Sequence, residues 1–433
     1  MEFQKIKLHR SEKNRAAVTQ ITLDDDYNVP DYRQDIVKVI KERGELRFDE
    51  VKAMEGAAWI KGSLVFKVLY RSDKQEGKIS CLRGEIPFQE RLNMDGLSEY
   101  DAVHATGDME DLTIGVINSR KLNVRAVIVL TASSEKEVDE ELTCELSDGS
   151  SYEQNIVEKE ALKLLVVRRD ICRQKSEAVL PSSKPNIREI LWQSMQLRNV
   201  ESRLVEGKIR LSGEILVSIL YNDEEEGEHL SWYETTVPLD AQAECGVMED
   251  DCIWQVQMVP LTMELEVKPD YDGEERILVM ELALDTHIRI WKEEKIRLLT
   301  DLYSLQKEVK PVFRECPLER LLVKNAAKCR MTEQMELKED KEKVLQICSC
   351  EGKVLLERQE IKPDGVLAEG TVEVNILYIT PDDHMPVGAV QEIYPFSQLV
   401  EIPEMSAQAK VELDASLEQL SAVMLDQEHV EIR

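Results

Sequence analysis

Three segments of this 433-residue chain repeat one pattern at long range, and this repeat constrains the fold more than any other feature. In each segment a glycine is followed eight residues later by a tyrosine that has a leucine just before it, and twenty-five residues later by a proline. The twelve positions are Gly62, Leu69, Tyr70, Pro87, Gly213, Leu220, Tyr221, Pro238, Gly370, Leu377, Tyr378 and Pro395. Successive copies are offset by 151 and 157 residues, so each unit is far longer than a solenoid repeat and predicts a triplicated domain.

The repeat also predicts where the domains begin and end. The second and third copies match upstream as well, because Cys172-Arg173 and Cys329-Arg330 each lie 41 residues before their glycine. We therefore expect three domains, at residues 1–155, 156–312 and 313–433. The third copy ends 63 residues after its glycine, where the first continues into the strand-like run Ala126–Leu130, so we expect it to be C-terminally truncated.

Each copy of the motif has the pattern of a β-strand. Even offsets from the glycine are apolar, whereas the odd offsets include Ser, Lys, Glu, Thr and Asn. Such alternation predicts a half-buried strand with one core face. A polar loop follows each tyrosine, and a second strand is expected to end at the proline, which indicates a hairpin. Because the repeated residues recur within a strand pattern, we interpret them as a structural motif rather than a ligand site.

These patterns predict a mainly β chain of three tandem antiparallel sandwich-like or barrel-like domains with a few short helices. The segment Arg33–Arg43, with Gly44 after it, has the pattern of a capped helix. Residues 157–167 fit either a helix or a strand. A second hairpin is expected from Leu261–Val267 and Glu275–Leu284, which flank a turn-forming Pro-Asp-Tyr-Asp-Gly sequence.

The charge and cysteine content narrow the class of protein. Lys and Arg total 55 against 85 Asp and Glu, a net charge of -30 that disfavours binding to nucleic acid or to anionic membranes. The N-terminus has no apolar core of signal-peptide length, and the longest apolar run, Ile215–Tyr221, is strand-sized. Nine cysteines without a C-x-x-C pair indicate free thiols in a reducing, cytoplasmic compartment.

Catalytic and metal-binding motifs are missing from the sequence. The six histidines form no H-E-x-x-H pair, and neither a dinucleotide fingerprint nor a G-x-S-x-G motif occurs. Asp270-x-Asp272-Gly273 resembles the start of a calcium loop but has no glutamate at the twelfth position. We therefore predict a protein that is not an enzyme, with no catalytic residues, no cofactor and no metal.

The glycine-to-Leu-Tyr strand and the hairpin proline, as in Ile86-Pro87-Phe88, resemble the SPOCS domain of SipL-type spore-coat morphogenetic proteins. The segment Lys184–Leu191 resembles it as well. The resemblance implies a sporulation protein of the mother-cell cytoplasm that acts at the forespore surface and assists the basement-layer ATPase of the spore coat. Many members carry a C-terminal LysM module, which this sequence does not include. The resemblance thus favours a non-enzymatic scaffold that works by protein–protein interaction.

Two other functions remain open from the residues alone. The first alternative is a ligand- or glycan-binding tandem β-domain protein unrelated to sporulation. Sugar sites usually need exposed aromatic side chains, but aromatic residues make up only 5% of the chain and its five tryptophans do not recur at one repeat position. The second alternative, a hydrolase, would need histidines and carboxylates that only the tertiary fold brings together.

Overall fold

All regular secondary structure in the described part of the chain is β-strand. The computed structural model describes residues 2–72, 77–147, 152–224, 229–247, 251–306, 308–338, 342–403, 405–406 and 408–433. Within them, eighteen strands form six three-stranded antiparallel sheets, two in each copy of the repeat. The prediction of a mainly β chain is therefore confirmed.

The first copy is a sandwich of an inner sheet, which carries the motif glycine, and an outer sheet. Its strands are β1 (Phe3–Asn28), β2 (Lys38–Met54), β3 (Ala57–Arg71), β4 (Ile79–Asn93), β5 (Val103–Asn118) and β6 (Lys121–Leu146). The inner sheet has the order β2-β3-β4 and the outer sheet the order β1-β6-β5. Alternate apolar residues of the two facing sheets, from Leu64 and Phe66 on β3 to Ile128 and Leu130 on β6, form its core.

The second copy repeats this arrangement strand for strand. Its strands are β7 (Glu153–Val179), β8 (Ile187–Val205), β9 (Lys208–Asp223), β10 (Leu230–Glu244), β11 (Cys252–Pro269) and β12 (Glu275–Tyr303). The inner sheet is β10-β9-β8 and the outer sheet β11-β12-β7. The expected hairpin around Pro269–Gly273 is confirmed, since β11 and β12 pair antiparallel on either side of it.

The third copy has a full inner sheet and a much smaller outer sheet. Its strands are β13 (Glu333–Glu336), β14 (Gln346–Lys362), β15 (Gly365–Ile379), β16 (Val387–Glu401), β17 (Ala422–Met424) and β18 (His429–Ile432). The inner order is β14-β15-β16 and the outer order β13-β18-β17. The side chains of Val312 and Phe313, which precede β13, are 97% and 68% exposed.

The expected short helices were wrong. Arg33–Arg43 leads into β2, and Gly44 pairs with Phe66 in the middle of the sheet rather than capping a helix. A Cβ at Gly44 would overlap the side chain of Met109 on β5, so this glycine lets the two sheets of the sandwich approach. Residues 157–167 are part of the long strand β7. In both places the pairing of sheet strands overrides the local helical pattern.

The hairpins that follow the motif tyrosines are longer than predicted. The second strand of each hairpin continues for six residues beyond Pro87, Pro238 or Pro395 instead of ending there. Each proline lies on an edge strand, where sheets tolerate its missing N–H because the strand has only one neighbouring ladder. Residues 73–76 and 225–228 of the first two hairpin loops lie outside the described residues.

Within the part of the chain that the structure describes, no helix has the length and apolarity needed to cross a bilayer.

Candidate functional site: the junction of the three repeats

The motif glycine lies opposite a β-bulge in every copy. The register of the neighbouring strand is irregular at Phe48/Glu50, at Arg198/Glu201 and at Leu356/Arg358. A Cβ on Gly62 would overlap the carbonyl oxygen of Arg47, and one on Gly370 would overlap that of Leu355. The bulge thus brings a backbone carbonyl so close to the central strand that only glycine leaves room for it.

The motif tyrosine ties the central strand to the chain that enters the inner sheet. Its ring is fully buried in every copy. Its hydroxyl donates to a backbone carbonyl 36 residues earlier, in the pairs Tyr70–Gln34 (3.2 Å), Tyr221–Pro185 (3.1 Å) and Tyr378–Glu342 (3.0 Å). Burial raises the pKa of Tyr221 and of Tyr378 to about 12, so these phenols stay protonated and act as donors.

The motif leucine points away from its own sandwich. It sits at an odd offset from the glycine, on the face that the sequence pattern predicted to be polar, yet Leu69, Leu220 and Leu377 are at most 1% exposed. They belong to one cluster drawn from all three copies, here called the axis cluster: Leu69, Ile79, Leu191, Trp192, Leu220, Cys348, Leu377 and Val387. The three inner sheets therefore pack against one another around a shared apolar centre.

A second set of β-bulges supplies this centre with extra side chains. The first inner strand of each copy has a register irregularity at Val39/Lys41, Ile190/Trp192 and Ile347/Ser349. A bulge lets two consecutive residues face the same side of a sheet. In the second copy both members, Leu191 and Trp192, belong to the axis cluster. Local alternation does not reveal such positions, and the sequence analysis missed them.

A buried charge cluster lies beside the axis cluster and joins all three copies. We call Lys41, Arg43, Trp192 and Glu351 the central charge cluster. The Glu351 carboxylate accepts hydrogen bonds from Lys41 Nζ (3.2 Å), Arg43 Nη1 (3.0 Å) and Trp192 Nε1 (3.4 Å). Lys41 Nζ also lies 5.3 Å from the centre of the Trp192 ring.

Electrostatics keep Glu351 ionised in this buried place. Burial alone would raise the pKa of its carboxyl, but the charges of Lys41 and Arg43, with hydrogen bonds from Lys41 and Trp192, hold that pKa below its ordinary value. The neighbouring Ser349 hydroxyl is buried without a hydrogen-bond partner. The cluster is thus a fully ionic tie between the first and third copies, with an indole of the second copy set against it.

The outer sheets of the first two copies meet at a second polar junction. The rings of His104 on β5 and His287 on β12 lie 5.4 Å apart. Arg169 Nη1 is 3.1 Å from His104 Nδ1, and His287 Nε2 is 3.5 Å from Glu135 of β6. Burial lowers the pKa of both histidines, which favours neutral imidazoles.

The third copy reaches the same junction through an arginine of the second copy. Arg289 Nη2 donates to Glu412 Oε2 (2.9 Å) and to Gln255 Oε1 (2.7 Å). Arg289 Nη1 lies 3.8 Å from Glu135 Oε1 of the first copy. The outer-sheet junction therefore also bridges all three copies by charged contacts.

The outer-sheet junction places His104 and His287 near the Glu135 carboxylate, a convergence of the kind that the hydrolase alternative requires. Among the described residues, no three or more His, Cys, Asp or Glu side chains are placed to hold a metal ion. All nine cysteines are free thiols, and burial raises the pKa of Cys348 and of Cys350 to about 12. A groove of about 340 Å³ between the second and third copies is lined by polar side chains that include Gln255, Arg358 and Glu412.

The fold and the junction define a tandem-repeat β protein in which three sandwiches are joined through a common core. Residues 35–117, 186–268 and 343–425 each match the family model for the SipL SPOCS domain, and together these matches cover more than half of the chain. The chain therefore belongs to the SipL SPOCS-domain family, as the sequence resemblance predicted. A comparison with curated proteins finds no match. The SPOCS domain is not a known enzymatic family, and membership points to a sporulation-related role that involves protein interaction.

Proposed function

We propose that this protein is a non-enzymatic scaffold of spore-envelope assembly, in the manner of SipL. The observation that carries the proposal is the threefold SPOCS match on a body whose three copies meet at shared junctions. A body of this kind holds several outward surfaces at fixed distances, so partners bound to one molecule would be presented together. The twelve motif residues would serve the proposal as folding residues, with no direct contact to a partner.

The domain boundaries belong to the same proposal. We place the three structural units at residues 1–155, 156–312 and 313–433, since strands β1–β6, β8–β12 and β13–β18 fall within these ranges and β7 begins three residues before the second range. Limited proteolysis should cut first within residues 308–332, which precede β13 and form no regular secondary structure. Early cuts inside an inner sheet would contradict these boundaries.

The proposed place of action is the mother-cell cytoplasm at the forespore surface. A fluorescent fusion followed through growth and sporulation should form a shell around the forespore. A Gly370→Ala fusion, which disturbs the bulge of the third copy, should lose the shell, whereas the matched Gly115→Ala fusion should keep it because a Cβ at Gly115 meets open space. A diffuse signal for the unchanged protein would contradict this placement.

The proposed partner is the basement-layer ATPase of the spore coat. Purified chain should retain this ATPase in a pull-down, and a deletion strain should form detached or incomplete coats. A correct shell without ATPase binding would remove this partner and leave the scaffold role. Normal, attached coats in the deletion strain would remove the scaffold role itself.

The alternative function is binding of a ligand or glycan outside sporulation. The polar groove between the second and third copies is the feature that favours it. A glycan array probed with the purified chain tests this alternative. Saturable binding that is lost on Arg358→Ala would support it, and the absence of any bound glycan would count against it.

A further inference from the structure

The three copies differ from one another just where they meet. Successive copies are offset by 151 and 157 residues, so the position of Lys41 is held by Trp192 and by Ser349 in the other copies. The position of Arg43 is held in the same way by Ser194 and by Glu351. Beside them, the leucine of the motif is unchanged in all three copies. The junction therefore combines a shared apolar surface with polar positions that are unique to each copy.

The shared apolar surface alone would not determine which copies pack together at a junction. Leu69, Leu220 and Leu377 are equivalent and equally buried, so apolar packing would accept two examples of one repeat almost as readily as one of each. In a tandem protein with three such surfaces, two molecules can exchange repeats and form a domain-swapped oligomer. Some other contact must then specify which repeats close a junction.

The central charge cluster has the properties that such a contact needs. The first copy supplies two cations and the third supplies one carboxylate, with side chains of Lys41 and Glu351 only 6% and 11% exposed. A junction with two first copies would bring four cations together, two of them buried lysines, and one with two third copies would bury two carboxylates. Unpaired buried charges are strongly destabilising, so both combinations are disfavoured.

The number of second copies that fit in one junction is limited by the size of Trp192 as well as by charge. Trp192 fills the space beside Lys41 and donates from Nε1 to Glu351, while the equivalent Ser349 is small. A second Trp192 in place of Ser349 would overfill the centre, and it would find no second carboxylate to accept its N–H.

We propose that the central charge cluster specifies the composition of the junction, so that it closes only with one copy of each repeat. The three repeats of one chain then form the junction with one another. A repeat of a second molecule is excluded unless the junction still contains one copy of each repeat. This proposal concerns the assembly of the chain and stands independently of its role in the spore envelope.

The test is refolding of the full chain from urea at low and at high protein concentration, followed by size-exclusion chromatography with light scattering. Every variant, like the parent protein, can form exchanged oligomers whose junctions still contain one copy of each repeat. An oligomeric fraction above that of the parent therefore measures junctions that contain two examples of one repeat. Glu351→Gln should raise the oligomeric fraction at high concentration roughly tenfold. The control Asp240→Asn, which breaks the exposed Arg210–Asp240 pair, should refold like the parent.

A triple variant separates specificity from stability. Lys41→Met, Arg43→Met and Glu351→Gln together leave no unpaired charge, so the triple variant should recover the urea midpoint that Glu351→Gln loses. Its oligomeric fraction should stay high, because nothing then distinguishes the copies by charge. If the triple variant refolds to the monomer fraction of the parent, the cluster has only a structural role and the proposal is overturned. The triple variant also provides the test if Glu351→Gln alone does not fold.

Discussion

The hydroxyl of Tyr378 donates a hydrogen bond of 3.0 Å to the backbone carbonyl of Glu342, which lies 36 residues earlier in the chain. The same bond at the same separation recurs in the pairs Tyr70–Gln34 and Tyr221–Pro185. In each copy it fixes the end of the central inner strand to the segment that leads into the first inner strand. A contact repeated this closely supports the interpretation of the tyrosine as a structural residue.

Removal of this hydroxyl should destabilise the chain. Tyr378→Phe keeps the buried ring but leaves the carbonyl of Glu342 without its donor, so we expect a loss of about 1 kcal/mol in the free energy of unfolding. Urea denaturation followed by circular dichroism measures it. Tyr271→Phe is the matched control, because Tyr271 is fully exposed. Equal stability of the two variants would show that the bond contributes nothing.

The motif glycine should not tolerate a methyl group. Gly62→Ala forces a Cβ against the carbonyl of Arg47 at the bulge, and we expect a loss of about 1–3 kcal/mol in the free energy of unfolding. Gly115→Ala, on β5, has open space around the new Cβ and should leave stability unchanged or slightly higher. The comparison of urea midpoints checks this prediction, and a Gly62→Ala protein as stable as Gly115→Ala would contradict it.

The axis cluster should couple the three copies. Leu69→Ala removes a fully buried side chain that contacts the inner sheets of other copies, and we expect a loss of about 2–5 kcal/mol. Because the cluster is shared, hydrogen exchange should become faster in β9 and β15 as well as in β3. Leu261→Ala, at a half-exposed side chain, serves as the control. Faster exchange confined to the first copy would show that the copies unfold independently.

The histidine pair should make stability fall as the solution becomes more acidic. Burial lowers the pKa of His104 and of His287, so below the ordinary histidine pKa the unfolded chain binds more protons than the folded one. The stabilising contribution of the neutral pair is present above that pKa and is lost as the pH falls from about 7.5 to 5.5. The groups that face the pair are Glu135, Arg169, Asp285 and Arg289.

Two sets of histidine variants, which should change the pH dependence of stability in opposite directions, check this prediction. His104→Gln combined with His287→Gln should flatten the fall in melting temperature between pH 7.5 and 5.5. At His429 the hydrogen bond and charge of Asp426 raise the pKa, so its contribution is present at low pH and is lost as the pH rises. His429→Gln should therefore make the acidic fall steeper. An unchanged profile in the double variant would contradict a role for the pair.

Local sequence patterns predicted the two hairpin strands of each inner sheet, although not their full length, and they were wrong about the helices. The alternation from Gly62 to Tyr70 correctly predicted a strand with a core face, because a period-two sequence pattern is local, but the opposite face of this strand is largely buried as well. The Arg33–Arg43 pattern was misleading, since its four apolar residues at helical spacing also fit a strand whose bulge turns Ile40 and Lys41 to one side. A bulge changes the register of facing residues, and periodicity alone does not locate it.

The sequence by itself determined the threefold repeat, the strand character of its motif and membership in the SPOCS family, because these depend on residue identity at fixed spacing. Only the tertiary structure decided that the motif leucine joins the copies and that Lys41, Trp192 and Glu351 meet at one centre. These residues lie more than 150 positions apart, and their contacts arise from the packing of three sheets. No local pattern encodes such packing, since the motif leucines, at an odd offset from the glycine, would face water in an isolated sandwich.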